Sequence, residues 1–324
     1  MSQVIRFYEH GGPEVLKLET VELPPPGAGE VRIHQHAVGL NFIDIYHRNG
    51  LYPVPLPSGL GQEGAGVVEA VGEGVTEFMV GDRVAYAGGP IGGYASDRNY
   101  PAKQLVKLPD GIAFEQAAAM MLQGLTSQYL LRQTYDVKAG DTILLHAAAG
   151  GVGLIATQWA KALGATVIGT VSSQAKADIA RAHGCDHVFI LSEVDLVKEV
   201  KSLTGGKGVA VVYDGIGKDT FMTSLDCLRP RGLMVSFGNA SGAVPAFEPG
   251  ILAAKGSLYL TRPTLAPHIA TREALDKAAA ELFEAVLSGK VKIEVNQRYP
   301  LAQAAQAQID LAARKTTGST VLIP

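Results

Sequence analysis

The sequence has very few cysteines and no long apolar run. Its only cysteines are Cys185 and Cys227, which are too few for a structural zinc site of four thiolates or for a disulfide framework. No apolar run is long enough to cross a bilayer, and charges interrupt the first residues where a signal peptide needs an apolar core. We therefore expect a cytoplasmic protein without membrane contacts.

The sequence also lacks a strong excess of charge of either sign. Its formal net charge is −3, so it has no basic field of the kind that binds nucleic acid. Nor do aromatic and basic residues interleave as they do in proteins that bind single strands. The hydrophobic fraction of 47% predicts a globular protein with ample core, and 324 residues suggest about two domains.

The most informative stretch runs from Thr142 to Gly169. The apolar run at 143–145 predicts a buried parallel strand, and the small residues at 147–153 predict a tight turn. Residues 154–163 have helical spacing, and 165–169 form a second apolar run. Strand, turn, helix and strand together predict one right-handed βαβ unit.

The turn in this unit fits a G-x-G-x-x-G pattern, with Ala148, Gly150 and Gly153 at its three small positions. The first small residue allows the tight turn, the second lets the backbone approach a pyrophosphate, and the third lets the helix pack closely on the strand. The helix N-terminus then faces the anion. We therefore predict dinucleotide binding by the turn residues Ala149, Gly150, Gly151, Val152 and Gly153.

The chain before this unit has the pattern of a β-rich domain. Strict alternation from Glu30 to Val38 predicts a half-buried strand, and glycines punctuate the short strands that follow. His34 and His36 lie on one face of the first of these strands. For both histidines we favour an exposed strand face over a metal site, and we predict no metal ligands in the chain.

The chain after the unit alternates strands with helices as far as about Arg262, which predicts a doubly wound parallel sheet. Residues 257–260 are predicted to close this sheet. A long helix at 272–287, strands at 291–299 and 319–323, and a last helix between them follow, without further alternation. We predict a dinucleotide-binding domain at 123–263 and a β-rich domain made of 1–122 and 264–324.

Eight motifs in order along the chain resemble those of the medium-chain dehydrogenase/reductase superfamily, and most closely its quinone oxidoreductase branch, the relatives of zeta-crystallin. They are GGPEVL at 11–16, NFIDIYHRNGLYP at 41–53, GQEGAGVVEAVGEGV at 61–75, GDRVAY at 81–86, HAAAGGVG at 146–153, VVYDGIG at 211–217, LRPRGLMVSFGNASG at 228–242 and TGSTVLIP at 317–324. The resemblance implies a GroES-like β-rich catalytic domain, a Rossmann domain, a cleft between them and a homodimer.

The positions that carry zinc ligands in related dehydrogenases are occupied by amides. Asn41 and Gln62 stand where the zinc-dependent members have cysteine and histidine. An amide is a poor ligand for an ion that prefers thiolate and imidazole. Without a Lewis acid, alcohol oxidation is disfavoured, and we expect an acceptor that takes hydride readily, such as a quinone or a conjugated alkene.

The residues that follow the second strand of the βαβ unit predict which cofactor binds. NAD-specific Rossmann domains carry an acid there, but this chain has Ser172, Ser173 and Lys176, which suit the 2′-phosphate of NADPH. The resemblance gives Arg314 a second role at this phosphate. It also predicts a tyrosine at the position of Leu191, so that one contact is missing here.

The resemblance places Asn41 beside the nicotinamide and the substrate, with Tyr46 and Tyr52 lining the substrate cleft. For each tyrosine, packing in a wall remains an equal alternative. The further cofactor contacts that the resemblance implies are Thr126, Tyr129, Phe237, Gly238, Asn239, Thr261 and Arg262.

These patterns predict an NADPH-dependent quinone reductase that transfers hydride without zinc. An NADPH-dependent enal or enone double-bond reductase requires the same hydride geometry and stays open. A third possibility is a non-catalytic protein, because zeta-crystallin-like relatives include lens structural proteins and binders of AU-rich RNA. The acidic net charge argues against RNA.

Overall fold

The computed structural model describes residues 1–324, which form two compact units. Unit 1 comprises Met1–Leu125, Ala266–Ser288 and Ile293–Pro324, and unit 2 comprises Thr126–Leu265 and Gly289–Lys292. No helix combines the length and the apolar character needed to span a bilayer.

The first part of the chain contains mainly short strands. Its elements are β1 (Ser2–Phe7), β2 (Lys17–Val21), β3 (Glu30–Leu40), α1 (Phe42–Arg48), β4 (Ser58–Gly59), β5 (Glu63–Val71), β6 (Arg83–Ala87), β7 (Asp97–Pro101), β8 (Val106–Lys107), α2 (Phe114–Ala118) and α3 (Met121–Tyr129).

The middle of the chain alternates strands with helices. Its elements are β9 (Thr142–Leu145), α4 (Gly151–Ala162), β10 (Thr166–Val171), α5 (Gln174–Ala182), β11 (His187–Ile190), α6 (Leu196–Leu203), β12 (Val209–Asp214), α7 (Phe221–Cys227), β13 (Leu228–Ser236), α8 (Gly250–Ala254), β14 (Tyr259–Thr261) and α9 (Leu265–His268). The last part contains α10 (Arg272–Leu287), β15 (Val295–Pro300), α11 (Ala304–Ala312) and β16 (Ser319–Ile323).

Unit 1 is built on β-sheets, as the sequence predicts. Its larger sheet has the order β15-β16-β3-β5-β6-β8, with β7 also paired to β3, and its smaller sheet has the order β2-β1-β4. In β3, Val31 and Ile33 are fully buried while His34 and His36 are exposed. One face of this strand therefore packs on the core and the other meets solvent.

Unit 2 is built on a parallel sheet with the strand order β11-β10-β9-β12-β13-β14. Its central strands are mostly apolar and buried, because helices cover both faces of such a sheet. The chain leaves β9 towards β10 on one side and later returns to β12 on the other. The doubly wound prediction is confirmed, and a ligand is expected at the carboxyl ends of the strands, where this order reverses.

Several predicted element boundaries were wrong. Alanines and leucines dominate residues 114–131, which predicts helix, but α2 ends at Ala118 and Leu130–Thr134 forms a π-helix. The strand predicted at 291–299 begins only at Val295, the first residue that pairs with β16. The strand predicted at 257–260 begins at Tyr259, because Gly256 and Ser257 have positive φ angles that extended strands do not adopt.

Candidate active site

The glycine turn of unit 2 has the geometry of an anion cradle. Gly150 is the N-cap of α4, and the Ala148 N–H donates to the carbonyl oxygen of Thr170, at 3.0 Å. A Cβ on Gly153 would overlap the Ala147 carbonyl oxygen and lie 2.8 Å from backbone atoms of Ala148. Only glycine therefore lets α4 begin this close to β9, so that its first N–H groups, which have no partner within the helix, can face an anion.

The end of β10 carries hydrogen-bond donors and a cation. Ser172 and Ser173 are exposed, and Lys176 is half-buried on the first turn of α5. Ser173 caps this helix, since its Oγ accepts a hydrogen bond from the Lys176 N–H at 3.4 Å. The residues that the sequence assigns to a 2′-phosphate thus lie on one short strand-to-helix turn. Hydroxyl groups and an ammonium group fit a phosphate dianion chemically.

Three further predicted cofactor residues come together in unit 2. Burial raises the pKa of Tyr129 to about 12, while the charge of Arg262 and a hydrogen bond with Thr126 lower it. The Tyr129 side chain is buried, and Thr126 lies three residues before it on α3. Thr261 lies on β14, paired with Val235 of β13.

The segment Phe237, Gly238 and Asn239 follows β13 and packs on the turn after β12. A Cβ on Gly215 would lie 3.1 Å from the ring of Phe237, and a Cβ on Gly238 would lie 2.9 Å from the Cα of Gly215. Two backbones approach each other closely here, at the carboxyl ends of adjacent strands.

In unit 1, Asn41 is the centre of a buried hydrogen-bond network. Its Nδ2 donates to Glu63 Oε2 at 2.7 Å, and its Oδ1 accepts from Gln123 Nε2 at 3.1 Å. The Asn41 N–H donates to Asp44 Oδ2 at 2.9 Å, and Ser319 Oγ donates to Gln123 Oε1 at 2.6 Å. The orientation of the Asn41 amide is therefore fixed by its neighbours on both sides.

The two carboxyl groups of this network are fully buried. Burial raises the pKa of Glu63 to about 8, although hydrogen bonds from Asn41 and Leu122 lower it. Burial likewise raises the pKa of Asp44 to about 7, against hydrogen bonds from Asn41 and Tyr94 that lower it. Both carboxyl groups hold protons more tightly than exposed ones, and both support the loop around Asn41.

Tyr46 on α1 and Tyr52 in the loop after it lie against each other. Their ring centroids are 5.2 Å apart with an edge-to-face angle of 71°, and the Tyr52 N–H donates to the Tyr46 carbonyl oxygen at 3.0 Å. Tyr46 is buried and Tyr52 half-buried. Arg314 is exposed just after α11, with a positive φ angle, and its N–H donates to the carbonyl oxygen of Leu311.

Comparison with known proteins identifies relatives over the full length of the chain. The model of the alcohol dehydrogenase GroES-like domain matches residues 27–110, and that of the zinc-binding dehydrogenases matches 151–280. A quinone oxidoreductase of Pseudomonas aeruginosa is 59% identical over 100% of both chains. The chain belongs to the quinone oxidoreductase branch of the medium-chain dehydrogenase/reductase superfamily.

Two other members of the superfamily bear on substrate and cofactor. The structure of the Escherichia coli quinone oxidoreductase complexed with NADPH has a TM-score of 0.98 and 53% identity, covering 99% of this chain and 100% of that one. The 2-haloacrylate reductase of a Burkholderia species is 47% identical over 98% of each chain. The GroES-like fold of unit 1 and the Rossmann fold of unit 2 are thereby confirmed.

In this quinone oxidoreductase family member, a chain of buried polar groups that the sequence did not reveal joins β9, β10 and β12. His146 Nδ1 lies 2.8 Å from Thr170 Oγ1, and its Nε2 lies 2.9 Å from Ser224 Oγ. Ser224 donates to Asp214 Oδ2 at 2.8 Å. Asp214 Oδ1 also accepts the N–H of Gly217 at 3.0 Å, which fixes the turn after β12. The motifs HAAAGGVG and VVYDGIG contain His146 and Asp214, but spacing alone does not indicate that the two meet.

Proposed function

We propose that the chain is an NADPH-dependent quinone reductase that works without zinc. The observation that carries this proposal is the sequence identity with quinone oxidoreductases, which exceeds 50% over the full length of the chain. The structure of one of these relatives was solved in complex with NADPH. Unit 2 offers the cradle and the phosphate-binding turn such a cofactor needs. NADPH supplies a hydride when it is bound.

The residues of unit 2 hold and orient the cofactor in this proposal. The turn at 149–153 binds the pyrophosphate, and Ser172, Ser173 and Lys176 bind the 2′-phosphate. The remaining contacts are assigned to Thr126, Tyr129, Phe237, Gly238, Asn239, Thr261 and Arg262.

The residues of unit 1 bind the acceptor in this proposal. Asn41 is held by Glu63 and Gln123, so its amide keeps one orientation without reorganisation. Tyr46 and Tyr52 offer ring faces for stacking and hydroxyl groups for a hydrogen bond to a quinone oxygen. Their contribution is orientation and exclusion of water rather than acid–base chemistry.

Lys176→Ala tests the cofactor assignment. The unmodified enzyme should prefer NADPH over NADH by at least about tenfold in kcat/KM, or about 1.4 kcal/mol. The variant should raise the KM for NADPH and leave the KM for NADH and both kcat values nearly unchanged, because this contact is remote from the transferred hydride. Leu191 in place of a tyrosine should weaken the preference. Equal efficiency with both cofactors in the unmodified enzyme would contradict the assignment.

A second candidate is reduction of a conjugated carbon–carbon double bond, which the similarity to a 2-haloacrylate reductase favours. NADPH oxidation should be measured with 1,4-benzoquinone, 9,10-phenanthrenequinone, 2-alkenals and 2-haloacrylate under identical conditions. The proposal requires the highest kcat/KM for a quinone. A higher value for an alkenal or for 2-haloacrylate would replace it with the second candidate.

Turnover should not depend on a metal ion. Asn41 donates its amide N–H to Glu63, and an amide nitrogen in that role cannot ligate zinc. Treatment with a chelator followed by gel filtration should leave the NADPH-dependent reduction of quinone unchanged. Loss of activity that returns with added zinc would refute this prediction.

We also propose a homodimer formed through the edge of the parallel sheet in unit 2. β14 is the last strand of that sheet, and Tyr259 on it is 57% exposed. Pairing two copies across a twofold axis would satisfy the open backbone groups of this edge. Light scattering should give twice the 34.0 kDa of one chain, and Tyr259→Glu should shift the protein towards a monomer. A monomeric mass for the unmodified chain would exclude this interface.

The proposal includes a cytoplasmic location, where NADPH is available. Cys185 and Cys227 are both free and buried, which suits a reducing compartment. Cell fractionation should recover the activity with cytoplasmic markers.

A further inference from the structure

The exposed face of β3 carries a cluster of potential metal ligands. His34 Nδ1 lies 2.7 Å from Asp97 Oδ1 and 4.0 Å from Glu69 Oε1, and the three ligand atoms lie within 4.8 Å of one another. Tetrahedral ligands about 2.1 Å from a zinc ion lie about 3.4 Å from one another. The observed distances fall on both sides of that value, so small side-chain rotations would complete the geometry.

The strand register brings these three residues together from three strands. His34 of β3 pairs directly with Asp97 of β7. On β5, Val68 pairs with Ile33 and Ala70 with Arg32, so Glu69 between them is the extra residue of a β-bulge. Bulges redirect side chains and are frequent near functional sites.

Asp97 is held in a position suited to ligation. Ser96 Oγ donates to Asp97 Oδ2 at 2.6 Å, and the Asp97 N–H donates to Ser2 Oγ at 3.0 Å. The second carboxylate oxygen, Oδ1, is thereby directed at His34. Such partners orient a metal ligand before the ion arrives. The side chains of His34 and Glu69 are half exposed, which leaves an entry path and room for a water ligand.

We propose that His34, Glu69 and Asp97 bind one divalent first-row transition metal ion, with Zn²⁺ as the probe. One imidazole and two carboxylates are ligands that zinc accepts, and the two negative charges balance the charge of the ion. To bind the ion, His34 must be the neutral tautomer with its proton on Nε2, so that Nδ1 can ligate the metal. The ion would tie β3, β5 and β7 together.

This site is distinct from the position at which related dehydrogenases bind catalytic zinc. His34 precedes Leu40 at the end of β3 by six residues, or about 20 Å at 3.3 Å per residue. Ion binding here is therefore expected to raise thermal stability and to leave the reduction of quinone unchanged.

His36 provides a matched control on the same strand face. It is exposed like His34, but its ring stacks on Phe114 at a centroid distance of 4.3 Å, and it is not part of the ligand group. A loss of metal binding on replacing His36 would indicate a different site, made of two histidines two residues apart on one strand, instead of the cluster of His34, Glu69 and Asp97.

The test is calorimetric titration of the untagged, chelator-treated chain with ZnCl₂. The unmodified protein and His36→Ala should each bind one ion with equal affinity, and zinc should raise their Tm. His34→Ala, Asp97→Asn and Glu69→Gln should each weaken binding at least about tenfold while keeping the metal-free Tm. No stoichiometric binding, unchanged affinity in His34→Ala, or an equal loss in His36→Ala would overturn the proposal.

Discussion

Gly153→Ala is expected to lower both the stability of the protein and its affinity for NADPH. The added Cβ would overlap the carbonyl oxygen of Ala147 and press on the backbone of Ala148. Backbone cannot move aside as a flexible side chain can, so α4 must shift away from β9. We expect a loss of about 1–3 kcal/mol in the free energy of unfolding, as for other overpacked sites. NADPH affinity should fall with it, because the first N–H groups of α4 would be displaced.

Gly150→Ala is the matched control for this prediction. A Cβ there would lie 3.2 Å from the Ala147 carbonyl oxygen and near little else. The free energy of unfolding should therefore fall by no more than about 1 kcal/mol, chiefly because alanine is a poorer N-cap than glycine. NADPH affinity should still fall, because this is the position at which the backbone approaches the pyrophosphate.

Chemical denaturation and fluorescence titration with NADPH separate the two effects. The expected pattern is a large loss of stability together with a loss of binding for Gly153→Ala, and a loss of binding with a smaller loss of stability for Gly150→Ala. An unchanged midpoint of unfolding together with unchanged NADPH affinity in Gly153→Ala would contradict the packing role of this glycine.

The parallel sheet could be predicted from the sequence because its signals are local. The strands of unit 2 are mostly apolar, and glycines mark the turns between strands and helices. The ends of helices and strands could be predicted less accurately, since they depend on tertiary partners. Val291, for example, is fully buried and lies within the predicted strand, yet the observed strand excludes it, because β16 pairs only with Val295 and the residues after it.

The parts of the candidate site that sequence reasoning missed are contacts between residues far apart in the chain. Asn41 could be recognised as an amide in a zinc-ligand position. Its contacts with Glu63, Gln123 and, through Gln123, Ser319 depend on how β5, α3 and β16 meet, which no spacing encodes. Buried polar networks of this kind follow from tertiary structure, and they fix side-chain orientation once they are fully satisfied.

The Asp214 carboxylate sets the direction of the hydrogen bonds in the network around His146. A carboxylate only accepts, so the single hydroxyl proton of Ser224 goes to Asp214. Ser224 Oγ must then accept from His146 Nε2–H. Burial lowers the pKa of His146, against the charge of Asp214 that raises it, and this direction favours the neutral ring. Its bare Nδ1 therefore accepts the hydroxyl proton of Thr170.

Asp214→Ala should lower the free energy of unfolding by at least about 3 kcal/mol, since three donors are left without an acceptor and each costs about 1–3 kcal/mol. These donors are the hydroxyl group of Ser224 and the N–H groups of Ile216 and Gly217, while the Thr220 hydroxyl keeps a long contact of 3.4 Å with the Gly217 carbonyl oxygen. The turn after β12 should loosen as well. Chemical denaturation measures this loss.

Asp214→Asn should cost less than Asp214→Ala, because the network can reverse its direction. The amide oxygen can still accept the N–H groups of Ile216 and Gly217, while its NH₂ group donates to Ser224 Oγ. Ser224 would then donate to His146 Nε2, and the histidine proton would move to Nδ1 and be donated to Thr170. Nitrogen-15 NMR of the imidazole should find the proton on Nε2 in the unmodified protein and on Nδ1 in this variant. A proton on Nδ1 in the unmodified protein would contradict the direction of the network, and a loss of stability equal to that of Asp214→Ala would contradict its reversal.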